Sequence, residues 1–340
     1  MTFETLIYEE DAGVATITLN RPEVYNAFNT KMRQELSSLW RYLRHHDPVR
    51  VVVLTAAGDK AFCTGIDRQE IIDGAPAPIA TLESDDRIGF GTTPFHYDDP
   101  GDDLGPKACD LWKPVIAAVN GMACGGAFYM LGEVDFIVAA DGATFFDPHV
   151  TYGMTTAFEA MLMLARMPLG EVMRMSLMGN FERITAGRAM EIGLVSEVVP
   201  GPELVAHTQN LARQMATAPA LALQGTVRSI WAAQELSRQQ ALSMGSLLVA
   251  QGTDDASLAE GQATFRSGER ITPASANARP ATKRRQGPAL PHPVAGRNAH
   301  CFTRPEHTTA LIPHHRSPVW SNPAGEDLDV AWSAEVGGAV

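Results

Sequence analysis

Cysteine is scarce in this 340-residue chain. There are four, Cys63, Cys109, Cys124 and Cys301, and no two are spaced as CxxC. That excludes a dithiol redox motif and a zinc knuckle, and it fits reduced, structural thiols. No apolar run approaches the length of a membrane span, so no membrane partner is expected. The opening stretch MTFETLIYEEDAG is acidic and short of apolar residues, unlike a signal peptide, and a cytoplasmic location is expected. No GxGxxG follows a strand pattern and no GxxxxGK[ST] is present, which excludes the dinucleotide and P-loop readings. The histidines lack ligand spacing, so no metal site is expected. Positive charge is also short: 27 Lys and Arg against 39 Asp and Glu leave a formal net charge of -12. Arg279, Lys283, Arg284 and Arg285 place part of that small basic share in the tail. A body this acidic excludes nucleic acid as the expected partner.

What is present is a strand–helix alternation. VATITLN (14–20) alternates in the manner of a strand. VRVVVLT (49–55), PVIAAVN (114–120) and DFIVAAD (135–141) are continuous apolar runs, the pattern of strands buried on both faces. TKMRQELSSLWRYLRHH places Met32, Leu36, Leu39 and Leu43 on one helical face, with Asn29 or Thr30 as its cap. The alternation predicts an α/β core. Residues 1–200 are expected to form it. Residues 73–110 are an acidic, Gly/Pro-rich insertion with the character of a lid, and His96, Tyr97 and Asp98 within it are placed to reach over a ligand. Residues 201–272 read as helices, with Leu204, Thr208, Leu211 and Met215 in register. Residues 273–340, rich in Pro, Arg and His, have no apolar period and are expected to be disordered.

Chemistry is suggested where KAFCTGID (60–67) and NGMACGG (120–126) each follow a buried strand. Backbone N–H groups at two neighbouring strand ends can converge on one oxygen. A helix beginning near Gly125 adds its N-terminal dipole. Glycines at such places also serve simply to allow tight turns. The two segments, with NRPEVYNAFN before them and DFIVAADGATF and AMEIGLVSEVVP after, resemble the crotonase (enoyl-CoA hydratase/isomerase) superfamily from about residue 3 to about 272. The resemblance implies a spiral of ββα units and a C-terminal helical region that packs on neighbouring subunits of a homotrimer or hexamer. It implies an acyl-CoA substrate with coenzyme A as part of it and no separate cofactor. The N–H groups of Ile66 and Gly126 then form the oxyanion hole, with Ala27, Lys60, Phe62, Gly65, Asp67 and Gly125 along the substrate.

The same resemblance exposes a departure. Hydratases of the family carry one glutamate three residues after the oxyanion glycine and another twenty residues later. Here those positions hold Tyr129 and His149. Histidine titrates near neutrality and serves as a base, while tyrosine is a poor base but a good hydrogen-bond donor. Tyr129 equally fits a core aromatic on a helix. Glu133 has the place of a structural residue, and Asp147 that of a turn starter before Pro148. Glu159 lies two positions beyond the place of the isomerases' glutamate, Ala157, so a small backbone shift would deliver it. The resulting expectation is an enoyl-CoA hydratase/isomerase-like lyase or isomerase that stabilises a thioester enolate, with Tyr129 and His149, or Glu159, as catalytic groups. The alternatives are a catalytically silent acyl-CoA-binding protein, or a C–C bond or thioester hydrolase using His149 as base.

Overall fold

The structure is a computed structural model that describes residues 2–72 and 99–268. Residues 73–98, with His96, Tyr97 and Asp98, and the tail 273–340 lie outside the described residues, and so do the lid and disorder expectations attached to them. The chain begins with β1 (Leu6–Asp11), β2 (Val14–Leu19), α1 (Thr30–Leu43), β3 (Val51–Ala56), β4 (Ala61–Cys63) and α2 (Arg68–Ile72). Then come α3 (Gly101–Leu104), β5 (Val115–Val119), β6 (Met122–Cys124), α4 (Ala127–Glu133), β7 (Phe136–Ala140) and β8 (Thr144–Phe146). The middle closes with α5 (Phe158–Met163), α6 (Leu169–Met178), β9 (Ile184–Thr185), α7 (Ala186–Glu191) and β10 (Glu197–Val199). Four helices follow: α8 (Leu204–Ala216), α9 (Ala220–Glu235), α10 (Arg238–Gly252) and α11 (Asp255–Ser267).

From β3 to β8 successive strands alternate between two sheets. The larger has the order β1-β2-β3-β5-β7-β10 and the smaller β4-β6-β8-β9. Thus β3/β4, β5/β6 and β7/β8 each send one strand to the large sheet and the next to the small one, with parallel pairing between turns. This is the expected spiral. The apolar runs read from sequence become β3, β5 and β7, nearly all buried on both faces. Their β-branched side chains suit a pleated, fully covered surface.

α1 starts where Asn29 accepts a hydrogen bond from Met32 N–H (2.9 Å), so Asn29 rather than Thr30 is the cap. Met32, Leu36, Leu39 and Leu43 are all buried against the sheet. From the same helix, Trp40 Nε1 donates to Leu104 O (3.1 Å). That bond holds down residues 99–111, the end of the acidic segment. With Leu104, Cys109 and Leu111 buried, these residues belong to the body and not to a lid. Glu133 accepts from Lys107 N–H and Ala108 N–H, both at 2.8 Å, which makes it structural as expected. Asp135 collects Val115 N–H (2.7 Å), Lys107 Nζ (3.1 Å) and Trp231 Nε1 (2.8 Å), joining this segment to α9. In α8 the covered row is Leu204, Thr208, Ala212 and Ala216; it diverges by one residue from the predicted Leu211 and Met215, which are only partly buried. Thr208 Oγ1 donates to Leu204 O, satisfying its buried hydroxyl within the helix. Among the described residues no helix is long and apolar enough to cross a membrane, and no cluster of metal-binding side chains occurs.

Candidate active site

Parallel pairing of β4, β6 and β8 sets three chain segments side by side where the strands end. The first is Thr64–Gly65–Ile66, the second Gly125–Gly126, the third Asp147–Pro148–His149. Gly65 and Gly125 have φ of +83° and +54°, the left-handed region where a side chain is strained. The first two segments nearly touch: a Cβ on Gly65 would lie 2.8 Å from Gly126 N.

Ile66 is held in register by Phe28. Phe28 N–H donates to Gly65 O and Asp67 N–H donates to Phe28 O, both at 2.8 Å. In such a bridge the N–H of the middle residue, Ile66, points away from Phe28. Neither Ile66 N–H nor Gly126 N–H donates to any described residue. Two free amides therefore lie at adjacent strand ends, and Gly126 also starts α4. The structure gives a reason for a bare residue at Gly126: a Cβ there would lie 2.6 Å from Cε1 of the Phe28 ring.

The loop before Phe28 explains much of NRPEVYNAFN. Asn26, buried with φ +55°, donates to Ala57 O and Ala61 O and accepts from Arg21 N–H, all at 2.9 Å. Its short side chain tolerates the left-handed backbone while fastening the loop to the β3–β4 turn. Arg21 pairs with Asp67 at 2.8 Å. Asp67, placed by resemblance along the substrate, is thus committed to a structural ion pair. Phe62 is wholly buried in the core and presents no side chain to a ligand, and Ala27 is buried in the loop. Lys60 is exposed at the turn, and its carbonyl accepts from Met122 N–H. Of the residues expected along a substrate, Gly65 and Gly125 border the free amides.

The ionisable groups form a continuous line beside those amides. Asp147 is fully buried, and its Oδ1 accepts from His149 N–H (3.0 Å) and from His149 Nδ1 (2.6 Å), while its Oδ2 accepts from Thr156 Oγ1 (2.6 Å). Asp147 does start a turn, and it also fixes the imidazole. Burial raises the Asp147 pKa, but the hydrogen bonds from His149 and Thr156 outweigh it and hold the carboxyl below its usual range. The bond to Asp147 raises the His149 pKa above its ordinary value, against an opposing contribution from burial. With Nδ1 bound to Asp147, His149 turns Nε2 toward Glu159 Oε1, 3.5 Å away. A Cβ on Gly125 would lie 3.6 Å from His149 Cε1, so the ring borders the glycine turn.

Glu159 needs no backbone shift to arrive. Ala157, at φ -129° and ψ -74°, is non-helical, and α5 begins at Phe158, so Glu159 projects from the first turn toward His149. Glu159 is 6 % exposed, and burial raises its pKa despite the attraction of the imidazole. The proton affinity of both groups is thus raised: that of His149 by Asp147, that of Glu159 by burial.

Tyr129, on α4, is buried as a core aromatic would be, yet its hydroxyl donates to Asp99 Oδ2 at 3.0 Å. Asp99 Oδ1 accepts from Gly101 N–H (2.8 Å), so the carboxylate is fixed at both oxygens. Burial, then the charges of Glu159 and Asp99, push the Tyr129 pKa up, so it stays a hydroxyl and not a phenolate. Burial also raises the pKa of Asp99. Sequence reasoning singled out Asp98, which lies outside the described residues, and missed Asp99, because nothing in FHYDDP marks it. It also missed Thr156, which has no motif. The pattern Asp-Pro-His, with the aspartate two residues before the histidine, was the available signal for Asp147.

Chemically, the line Asp99–Tyr129–Glu159–His149–Asp147 can hold and move protons beside two unpaired backbone donors. Comparison with known proteins fits this geometry. A family model described as enoyl-CoA hydratase/isomerase matches residues 9–272. The chain is similar to the (E)-benzylidenesuccinyl-CoA hydratase of Thauera aromatica, 31% identical over 262 residues, covering 77% of this chain and 94% of that protein. It is also similar to the 1,2-epoxyphenylacetyl-CoA isomerase of Escherichia coli K12, 33% identical over 224 residues, with 65% and 79% covered. Among solved structures, an enoyl-CoA hydratase/isomerase from Mycobacterium paratuberculosis superposes with a TM-score of 0.67 at 31% identity, covering 80% of this chain and 98% of that one.

Proposed function

Since the chain belongs to the enoyl-CoA hydratase/isomerase family, we propose that it moves a proton at the carbon beside an acyl-CoA carbonyl, using the His149–Glu159 pair in place of the family's two glutamates. The thioester oxygen would rest on the N–H groups of Ile66 and Gly126. Negative charge grows on that oxygen as the α-carbon loses a proton, and each such donor is worth about 2.7–4 kcal/mol of barrier. The observation that carries the reading is the imidazole itself: Nδ1 is 2.6 Å from Asp147 and Nε2 faces Glu159 beside the Gly125 turn. Asp147 is the positioning residue, selecting the tautomer and strengthening His149 as a proton acceptor. His149 and Glu159 hold one proton between them, so the pair can take a proton from carbon and return it.

Tyr129 is then the group that orients water or the reacting carbon chain. Its O–H is engaged by Asp99, and Glu159 stands beside the same hydroxyl, so Tyr129 links the two carboxyl groups. This arrangement serves isomerisation and hydration with the same groups. The loss of both family carboxylates favours one other reading, a protein that binds acyl-CoA without turnover. The two separate in one experiment: exchange of the α-protons of a bound acyl-CoA for deuterium. Exchange by the unmutated protein that disappears in His149→Ala, with acyl-CoA affinity kept within a few-fold, is the expected result. Binding with no exchange across a broad set of acyl-CoAs would leave the silent binder. Full exchange in His149→Ala would transfer the role to Glu159 acting alone. We also propose that the chain assembles as a homotrimer or hexamer, an inference supported by the exposed apolar side chains Met161, Leu164, Leu169, Leu177 and Phe181 around α5 and α6.

A further inference from the structure

Two cations stand near this site without a described carboxylate partner: Arg183, which lies over the ring of Phe146 at 4.2 Å from its centroid, and Arg68. Arg68 follows Ile66 by two residues, so their Cα atoms are at most about 7 Å apart. The residue is exposed, but its guanidinium is not loose. It lies over the ring of Tyr152, 3.8 Å from the centroid. Tyr152 closes the short helical turn that begins at His149. The stack therefore spans from the segment that carries one free amide to the segment that carries the imidazole. Stacking fixes a guanidinium by its face and leaves the N–H edge available for a second partner. Among the described residues Arg68 makes no ion pair, whereas Arg21, Arg33, Arg44 and Arg50 each hold a carboxylate. The Arg68 charge is close enough to act on His149, and on Cys124 one residue before the glycine turn.

We propose that Arg68, held by Tyr152, binds a carboxylate carried on the acyl group, so that the preferred substrates are acyl-CoA thioesters of dicarboxylic acids. This deepens the proposed acyl-CoA chemistry and rests on it. The neighbouring groups set the need. Asp147, Glu159 and Asp99 put three carboxyl groups in the line beside the amides. A second carboxylate entering with the acyl chain would be repelled unless a fixed positive charge received it. The anionic phosphates of coenzyme A are a poorer match. The long pantetheine arm separates them from the thioester, whereas Arg68 is rooted two residues from an amide that would hold the thioester oxygen. A planar guanidinium also matches a carboxylate in two-point fashion.

The test compares glutaryl-CoA with pentanoyl-CoA, the same acyl length with and without a terminal carboxylate, together with free coenzyme A. Affinities are read by calorimetry, and α-proton exchange in deuterium oxide is followed alongside. The unmutated protein is expected to favour glutaryl-CoA by on the order of 10- to 100-fold, the worth of a charge-assisted hydrogen-bonded pair. In Arg68→Leu that ratio falls toward one. Arg68→Lys keeps charge without the planar fork, and recovers part of the ratio. Tyr152→Leu removes the support and lowers it. A ratio near one in the unmutated protein overturns the proposal. So does a ratio that survives Arg68→Leu while all three ligands weaken together, since the arginine would then serve the phosphates. Binding and exchange fail independently: a clear binding ratio without exchange on either thioester overturns the catalytic reading and supports the carboxylate site.

Discussion

Gly126→Ala isolates one contact on which both free amides depend. The backbone at Gly126 has φ -61° and ψ -6°, so alanine meets no conformational strain there. The obstacle is the Phe28 ring. The new Cβ would lie 2.6 Å from Cε1 and 2.9 Å from Cζ, where carbon atoms prefer about 3.5–4.0 Å. The overlap is about 1 Å, and Phe28 is 1% exposed, so its ring has no open space to enter. Overpacking of this size costs about 1–3 kcal/mol. Phe28→Leu removes the offending atoms and by itself costs about 1–2 kcal/mol for the lost packing. The two changes should therefore be strongly non-additive, with the double variant at least about 1 kcal/mol more stable than the sum. Urea unfolding of the four proteins, at one fixed protein concentration, measures the coupling. Function should suffer beyond stability. Phe28 holds Gly65 and Asp67 on either side of Ile66, so pushing its ring displaces the second amide as well. Additivity within about 0.3–0.5 kcal/mol would refute the reasoning, because it would mean that Gly126 is bare for some reason other than Phe28.

Four further outcomes are expected. Asp147→Asn removes the partner that raises His149, so the imidazole titration followed by NMR should move to lower pH; an unchanged titration would show that the 2.6 Å contact does not control the ring. The same pair makes stability pH-dependent. Asp147, depressed on folding, contributes above the ordinary carboxylate pKa and loses that as pH falls through its folded value, while His149, raised on folding, contributes fully below its ordinary value and loses that as pH rises through its folded one. Their joint contribution is therefore greatest from about pH 4 to about pH 6.5, and the stability difference between the unmutated protein and Asp147→Asn should peak there. Tyr129→Phe should lower α-proton exchange by on the order of 10²-fold or more while binding holds within a few-fold; an unchanged rate would return Tyr129 to a packing role. Phe181 is 85% exposed, and Phe181→Asp should convert the oligomer to monomers in sedimentation; an unmutated protein that sediments only as a monomer would refute the assembly.

The spiral was readable because buried parallel strands write themselves as unbroken apolar runs: β3, β5 and β7 fell where the runs were. The second strand of each turn was not, because β4, β6 and β8 are three residues long and carry too few residues for a period. Tyr129 and His149 were found by position. Their partners were not, since a hydrogen bond such as Tyr129 to Asp99 joins residues 30 apart and no motif marks Asp99. Glu159 stood two positions beyond the family's place, and the non-helical backbone at Ala157 that turns it toward His149 has no sequence mark. Phe28 was read as part of a loop, and its contact with Gly126 appears only once Gly65 and Gly126 are side by side.

The two free donors come from main chain, and this determines which changes the gene can absorb. Side chains at Ile66 or Cys124 can be exchanged for others of similar bulk without altering which atoms are offered. Adding or deleting a single residue between Cys63 and Asp67, or between Cys124 and Ala127, rotates an amide out of line and shifts everything after it by one place. Tyr129 and His149 are the reverse case: their work lies in side-chain atoms, so substitution retunes them while the backbone stays as it is. Drift in this chain is therefore split by kind. Length is constrained in two short windows beyond β4 and β6, and under the proposed chemistry residue type is constrained farther along, at Tyr129 and His149.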